Sequence, residues 1–466
     1  MRITAVALTL ATAVSGVVAA QVPAEAGTDH AAHFAVDRRH PDARMPILVR
    51  RPGEAVVDLR ASAPGTDWAV AGAESAVVSI FLDGRYATDL VVSGAAPVDR
   101  QFALGAVSAG VHMLRLHFAA DRSAAASTSV TLDKLRATTY HRTDPEYQIL
   151  RFAPVVYGRS LAELGGPLQN ATTDTPLIAW HESAPAPTAG HTLLTYSIVW
   201  SNEDGGTNTP ALMARWGRTT DIEWVYSVEV DQHGDRVPGS DTYQAANHQT
   251  LHFAGRYEHD HALIETCTSN NNMCDVVDDP MRFFLSTLQT RPADQAREYL
   301  MDTNPWTYQI MAKEMIRERK IEAPAPSTAS TPEVSDQRNY LYAVVKKATV
   351  GANTGGSWVG VALGVRLAGG TTVYLSNHVD PTWSIQRDDP AATTVELPAG
   401  TTVDDIVEIS AHRVVVGTDN GDPIHVTDLK RDFMLGPDYA PQPSFLSWTG
   451  DVVLTPGAAS ATLWRR

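Results

Sequence analysis

Ala76-Val77-Val78-Ser79-Ile80-Phe81-Leu82, then Asp83-Gly84, then Arg85-Tyr86, is the stretch from which the fold is read. Its apolar, β-branched run suits a strand, and Asp-Gly suits the positive φ angles of a tight hairpin turn. Downstream, Val111-His-Met-Leu-Arg-Leu-His-Phe118 alternates apolar and polar residues, as a half-buried strand does. Val130-Thr-Leu-Asp-Lys-Leu135 closes the set. Together they predict a β-sandwich over residues 45–146.

Working outward, short strands return over 338–466: Leu341 to Val345, Trp358 to Leu367, Thr371 to Leu375, Ile406 to Ile409, Arg413 to Val416 and Asp451 to Leu454. Gly and Asp-Pro turns separate them, which predicts a second sandwich. Residues 147–320 mix strands and polar loops and end in a helix. There Asn304 can cap, Pro305 fits the first turn, and Trp306, Ile310, Met311 and Met315 share a face. A Pro/Ser/Thr/Ala stretch within 321–337 reads as a linker. The expected class is therefore mainly β and multi-domain, with β-sandwich modules flanking a central β-rich (α+β) domain that has a C-terminal helix.

Arg2, the apolar run Ile3 to Val18 and the small residues Val18-Ala19-Ala20 predict a secretory signal peptide over 1–20 and a secreted, extracellular protein. The alternative is a retained anchor, for which the run is short. Residues 21–44, polar and rich in Ala, His and Asp, read as a flexible leader. No later segment reaches a transmembrane length. The two cysteines, Cys267 and Cys274, bracket a short polar loop, and oxidising surroundings favour a disulfide between them over half of a zinc site. A net charge of −16 argues against nucleic acid and anionic membranes as partners. An extracellular glycan or glycoconjugate is compatible with it.

Residues with ligand chemistry crowd the central domain. His181, His191, His233, His248, His252, His259 and His261 lie there, among the chain's 16 histidines. Asn202-Glu203-Asp204-Gly205-Gly206 precedes Arg215-Trp216-Gly217-Arg218-Thr219-Thr220-Asp221-Ile222-Glu223-Trp224. Asp221 and Glu223 alternate about Ile222 at the start of a strand, so both carboxylates share a face. Like charges so placed need a cation or a shared proton. They suit a hard divalent cation such as Ca²⁺, Mg²⁺ or Mn²⁺, an acid/base pair, or simply a solvated strand face. His259 and His261 share a face if extended, His248 and His252 only if helical. His261 is the candidate catalytic proton carrier beside Asp221 and Glu223, and His248 the candidate ligand. Asp174, in Asn170-Ala-Thr-Thr-Asp-Thr-Pro176, is a candidate binding residue or a turn satisfying its own backbone.

Tyr196-Ser-Ile-Val-Trp200, an acidic turn ending in Asp204, and Gly217-Arg-Thr-Thr-Asp-Ile-Glu223 resemble necrosis-inducing secreted proteins, whose hallmark is Gly-His-Arg-His-Asp-Trp-Glu. Asn170 to Pro176 followed by this segment is also similar to the vacuolar-sorting-protein-62-related family. The first resemblance implies a β-sandwich whose divalent cation is held by acidic residues and a histidine and engages membrane glycolipids. It places Asp204, Asp221 and Glu223 on acidic positions, with Trp200 beside Asp204 as a binding residue. Arg218 stands where a metal-binding histidine is expected, and a guanidinium cannot ligate a cation, so either His248 or another residue substitutes, or no metal binds. The "DG.Y" hairpin and "G.H.L.L.F" strand of the N-terminal module resemble accessory sandwiches of secreted carbohydrate-active proteins.

Serine and cysteine nucleophile motifs, His-Glu-x-x-His, phosphate-cradling glycine loops and dinucleotide fingerprints are absent from the sequence, so no nucleotide or redox cofactor is expected. The expected function is a secreted glycan- or glycolipid-directed binding protein with a divalent-cation site. The alternative is a secreted polysaccharide hydrolase or lyase using carboxylate and histidine chemistry.

Overall fold

The computed structural model describes residues 32–203, 205, 208–322, 333–351, 356–378 and 380–466. The signal peptide expected over 1–20 lies outside them, as does most of the 321–337 stretch. Among the described residues no helix is long and apolar enough to cross a membrane.

The chain is mainly β, as the residue patterns require. In the N-terminal sandwich one sheet orders Ala32–Asp37, Ser129–Tyr140, Gly53–Ser62 and Val98–Val107, and the other Asp42–Val49, Gly110–Phe118, Ala76–Leu82 and Arg85–Val92. Asp83 (φ 51°) and Gly84 (φ 84°) make the turn between the last two strands. Val57, Leu59, Val130 and Leu132 from one sheet meet Ile47, Val78, Ile80 and Leu114 from the other in a shared core. Residues 32–44, expected as flexible leader, are instead the end of one strand pair and the start of the next. Val36 is fully buried, and apolar alternation from Ala43 to Val49 seats that strand against Gly110–Phe118.

The C-terminal sandwich pairs Ala391–Glu396, Tyr340–Thr349, Ile424–Phe433 and Leu446–Leu454 against Val373–Leu375, Trp358–Leu367, Ile406–Val416 and Ser460–Arg465. The two segments expected around Ile406 and Arg413 are one strand, because the intervening Ser410, Ala411 and His412 continue the pairing with Trp358–Leu367. Within 321–337, Val334 is fully buried and bridges Ile321, and Ser335 and Gln337 are buried as well. The described ends of that stretch are thus part of the packed structure.

Between the sandwiches, one sheet runs Gln249–His252, Thr242–Ala245, Ile222–Val230, Thr192–Trp200, Pro176–Pro185 and Gln289–Thr290. A second orders Tyr257–Glu258, His261–Thr266, Val155–Tyr157 and Arg282–Phe283, with Met273–Cys274 paired to His261–Thr266. The helix Trp306–Arg317 buries Ile310, Met311 and Met315, as its stripe predicts. The central core is continuous with its neighbours, since Trp68 and Ala103 from one side and Tyr342 and Phe433 from the other belong to the same apolar cluster. Trp68 Nε1 donates to Glu314 Oε2 at 2.9 Å, and Thr393 Oγ1 donates to Ala214 O at 2.6 Å.

Candidate functional site

The strands Thr192–Trp200 and Ile222–Val230 pair antiparallel, and the helix Thr209–Trp216 fills the connection between them. Asn208 caps that helix by accepting from Ala211 N, and Pro210 sits in its first turn. Gly217 ends it at φ 66°, where a Cβ would meet Ala392 Cβ and Thr393 N at 3.0 Å. Conformation and close approach therefore both demand glycine here. Four residues later Asp221 enters the sheet, its carbonyl accepting from Trp200 N at 2.9 Å.

Asp221 is 2% exposed, whereas the Glu223 side chain keeps 17%. The two carboxylates act on one another as the i, i+2 spacing predicts. Burial first, and then the charges of Glu223 and Glu203, raise the Asp221 carboxyl well above the ordinary carboxylate range; Arg218 and Asn271 act the other way. Glu203, quoted within the acidic turn but not singled out by sequence reasoning, is thus a member of the cluster.

Asn271 is fully buried and sets the geometry around Asp221. Its Nδ2 lies 2.9 Å from Asp174 Oδ1 and 3.1 Å from both Asp221 Oδ2 and Asn202 O. Asp174 in turn accepts from Arg159 at 2.6 Å, with both side chains fully buried. Arg159 also donates from Nε to Gln169 Oε1 at 2.7 Å, and its backbone N–H donates to Asn170 Oδ1 at 2.7 Å. Asp174 is therefore fully buried against Arg159 and Asn271, a correction to its expected binding role. Trp200 is corrected likewise, because its ring is fully buried in the central core.

Arg218 is near enough to Asp221 for its charge to act on that carboxyl. Its Nε donates to Glu298 Oε1 at 2.8 Å and its terminal nitrogen donates to Thr220 O. Glu298 is buried, yet Arg218 and Arg387 outweigh that cost and hold its carboxyl below the usual range. The guanidinium that replaces the expected histidine is thus engaged with Glu298.

His248 does approach them: its Nδ1 lies 3.8 Å from Glu223 Oε1, and the side chain is half exposed. Gln244 Nε2 is 3.0 Å from the same Nδ1. Asn270 bridges the two edges. With its amide oriented to suit its surroundings, its nitrogen donates to Gly205 O at 2.5 Å and Glu203 Oε1 at 3.0 Å, and its oxygen faces His248 Nε2 at 3.3 Å. Asn270 and Asn271 both lie in the loop closed by the Cys267–Cys274 disulfide, whose Cα atoms are 5.9 Å apart. Replacing both cysteines by serine should cost about 2 kcal/mol on a chain-entropy estimate for so short a loop. It should also loosen Asn271 from Asp221, an outcome readable as faster amide exchange at residues 268–273.

The remaining histidines are placed elsewhere. His248 ends a single 3-10 turn and His252 lies on the strand after it, so they share no helical face. His259 sits at φ 54° in the turn before His261–Thr266, so it shares no strand face with His261. His261 is 1% exposed, its Nδ1 on Ala153 O at 2.9 Å and its ring edge-on to Phe284 at 4.7 Å. Its Nε2 lies 3.3 Å from Glu54 Oε2 of the N-terminal sandwich, so its partners are these and not Asp221 or Glu223, which corrects its expected place as their proton carrier. His181 is buried against Thr287 O.

Asp204, the remaining expected ligand, lies outside the described residues. Among the described residues no three of His, Cys, Asp and Glu converge closely enough to hold a metal ion. Asp221, Glu223, Glu203 and Asn270 present oxygens of the kind a hard cation takes, but six to eight such ligands make a calcium shell. The described residues alone do not complete one.

No family model matches the chain, and no curated protein matches it. The resemblance to necrosis-inducing proteins and to the vacuolar-sorting-protein-62-related family therefore stands on the quoted residues alone. Among solved structures, the chain is similar to the CBM36-1 domain of a multidomain xylanase from the hindgut metagenome of Trinervitermes trinervoides: 12% identity over 26% of this chain and 92% of that one, TM-score 0.19. A carbohydrate-binding module of Cellvibrio mixtus lichenase 5A, in complex with cellotriose, aligns at 11% identity over 24% of this chain and 75% of its own, TM-score 0.16. The M60 catalytic domain with two CBM51 domains from Clostridium perfringens ZmpB aligns at 10% identity over 83% of this chain and 32% of its own, TM-score 0.17. At identities and scores this low, the likeness decides neither ligand nor activity for this chain.

Proposed function

We propose that this chain is an exported glycan- or glycolipid-directed binding protein that engages its ligand at the acidic edge of the central sheet, with a divalent cation bound there. The observation that carries the cation is the concentration of charge around a buried carboxylate. Asp221 faces Glu223 and Glu203, while the nearest guanidinium is hydrogen-bonded to Glu298. A cation would relieve that repulsion and draw on Glu203 and Glu223 for oxygens. The net charge of −16 disfavours polyanions and is compatible with a neutral glycan as ligand.

The test is the metal content of the purified chain and calorimetric titration with Ca²⁺ and Mn²⁺. Stoichiometric cation, lost in the Asp221→Asn/Glu223→Gln double variant, is the expected result. No bound metal, or unchanged content in that variant, would remove the cation from the site.

The Glu223–His248 contact favours a second reading, a secreted polysaccharide hydrolase or lyase in which Glu223 and His248 exchange a proton. Release of reducing ends from a polysaccharide panel, abolished by His248→Gln, would select it over binding alone.

A further inference from the structure

A cleft of about 380 Å³ lies along the later half of strand Gly53–Ser62, beside Asn304 at the foot of the helix Trp306–Arg317. Behind it is a recess of about 20 Å³, room for one water-sized group, lined in part by Ile178, Leu285 and Trp306. Arg100 and Gln289 line both spaces. Arg100 is 8% exposed, and its Cζ lies 4.6 Å from the centre of the Trp306 ring. Its Nη1 donates to Val91 O at 3.1 Å. Among the described residues the guanidinium makes no other hydrogen bond and no ion pair, and its Nε and Nη2 are not sealed from the cleft. Burial pushes it down to about 10, with no carboxylate offsetting that effect.

A buried cation without a counter-charge is costly to a fold. Stacking on an indole and one carbonyl contact recover part of that cost, but neither neutralises the charge. The other charged groups at the cleft do not neutralise it either. Asp99 pairs with Arg60 Nε at 3.2 Å, and Asp58 accepts from Gln101 Nε2 at 2.6 Å. Arg60, Arg100 and Lys134 therefore face only Asp58 and Asp99, an excess of one positive charge. Gln289 Oε1 accepts from Asn304 Nδ2 at 2.8 Å, which leaves the Gln289 amide nitrogen as a donor on the same walls. Three ligand classes compete. A dianion such as sulfate exceeds the excess and meets Asp58 and Asp99. A neutral ligand leaves the excess as it stands. A single carboxylate matches it, and its two coplanar oxygens suit the guanidinium fork. The recess takes one such oxygen, and the cleft has the volume of a small-ligand site for the rest of the molecule.

The geometry points to this cleft as a binding site for a small monocarboxylate, held by Arg100 with Gln289 as a second donor. Trp306 is the positioning residue that backs the guanidinium. The site shares no residue with the acidic edge at Asp221 and needs no cation there. The net charge of −16 that disfavours polyanions bears little on a single carboxylate, because charges beyond about 8 Å are largely screened at physiological salt.

Calorimetry on the full-length chain at constant ionic strength, with acetate, glucuronate, sulfate and glucose, tests this. A carboxylate should bind, and sulfate and glucose should not. Tighter binding of glucuronate supports the site with an acidic sugar as its source, and tighter binding of acetate supports it with a simple organic acid. Arg100→Met, which keeps the aliphatic bulk and removes the charge, should weaken carboxylate binding about tenfold or more. Gln289→Leu, a change on a half-buried wall, should weaken it several-fold even if the Arg100 variant folds poorly. No binding of either carboxylate, sulfate or glucose bound as tightly, or carboxylate binding indifferent to both substitutions would overturn the proposal. Carboxylate binding that requires added Ca²⁺ and is lost in Asp221→Asn/Glu223→Gln would assign the ligand to the acidic edge and likewise overturn it.

Discussion

Replacing Arg159 by methionine should lower the stability of the chain by about 3–5 kcal/mol, the cost of leaving one charge of a buried pair uncompensated. Arg159 and Asp174 are both fully buried and 2.6 Å apart. Methionine fills the aliphatic part of the space but removes the guanidinium that donates to Asp174 and to Gln169. The loss of that charge pairing is felt by the Asn271 amide, which Asp174 shares with Asp221. Removing both charges together, in Arg159→Met/Asp174→Asn, should recover part of the loss, because a neutral pair carries no desolvation penalty of that size. Urea denaturation of the three proteins reads this directly. Equal midpoints for the wild type and the Arg159 variant would show that the pair contributes nothing.

Asp432→Asn should act in the opposite direction at alkaline pH. Asp432 lies on the strand Ile424–Phe433 and is fully buried, and neither carboxyl oxygen makes a well-formed hydrogen bond, the Leu446 N–H offering only a weak contact. Its neighbour Arg431 points to the opposite face of the strand and pairs with Asp302 at 2.5 Å. Burial raises the Asp432 carboxyl from 3.8 to about 7. The folded chain therefore keeps a proton there that the unfolded chain has lost, and stability falls as pH rises from 3.8 to about 7. Above that window the full penalty, about 4 kcal/mol at 1.4 kcal/mol per unit, is present. Asparagine carries no such charge, so the variant should be more stable than the wild type at pH 8, with the gap closing toward pH 4. Thermal unfolding across that range checks it, and a gap independent of pH would sink the explanation.

The acidic edge shows how far local reading reaches. Asp221 and Glu223 could be paired from an i, i+2 spacing, since alternation along a strand is a property of the backbone. Their unequal burial could not, because it depends on Asn271, fifty residues away, and on the disulfide loop that carries it. Arg218 could be recognised as an anomaly in the motif, but its answer, Glu298, is 80 residues distant. Glu54 carried no local signal at all. It reads as one polar residue near a strand start, and only the docking of His261 beside it reveals an acid without a hydrogen-bond partner on its inner oxygen.

What the residues determine by themselves is local. The Asp83-Gly84 turn, the strand Trp358–Leu367 and the buried stripe of the helix Trp306–Arg317 all follow from φ preferences and from periods of 2 and 3.6 residues. Tertiary structure alone decided which polar residues are interior and which line a cleft. Asp174 and Trp200 look like ligand residues in a linear reading, yet are sealed in the core, whereas Glu54 is set in the wall of a cleft. The physical reason is desolvation. The cost of burying a charge is set by every group that surrounds it, and those groups come from strands remote in the chain.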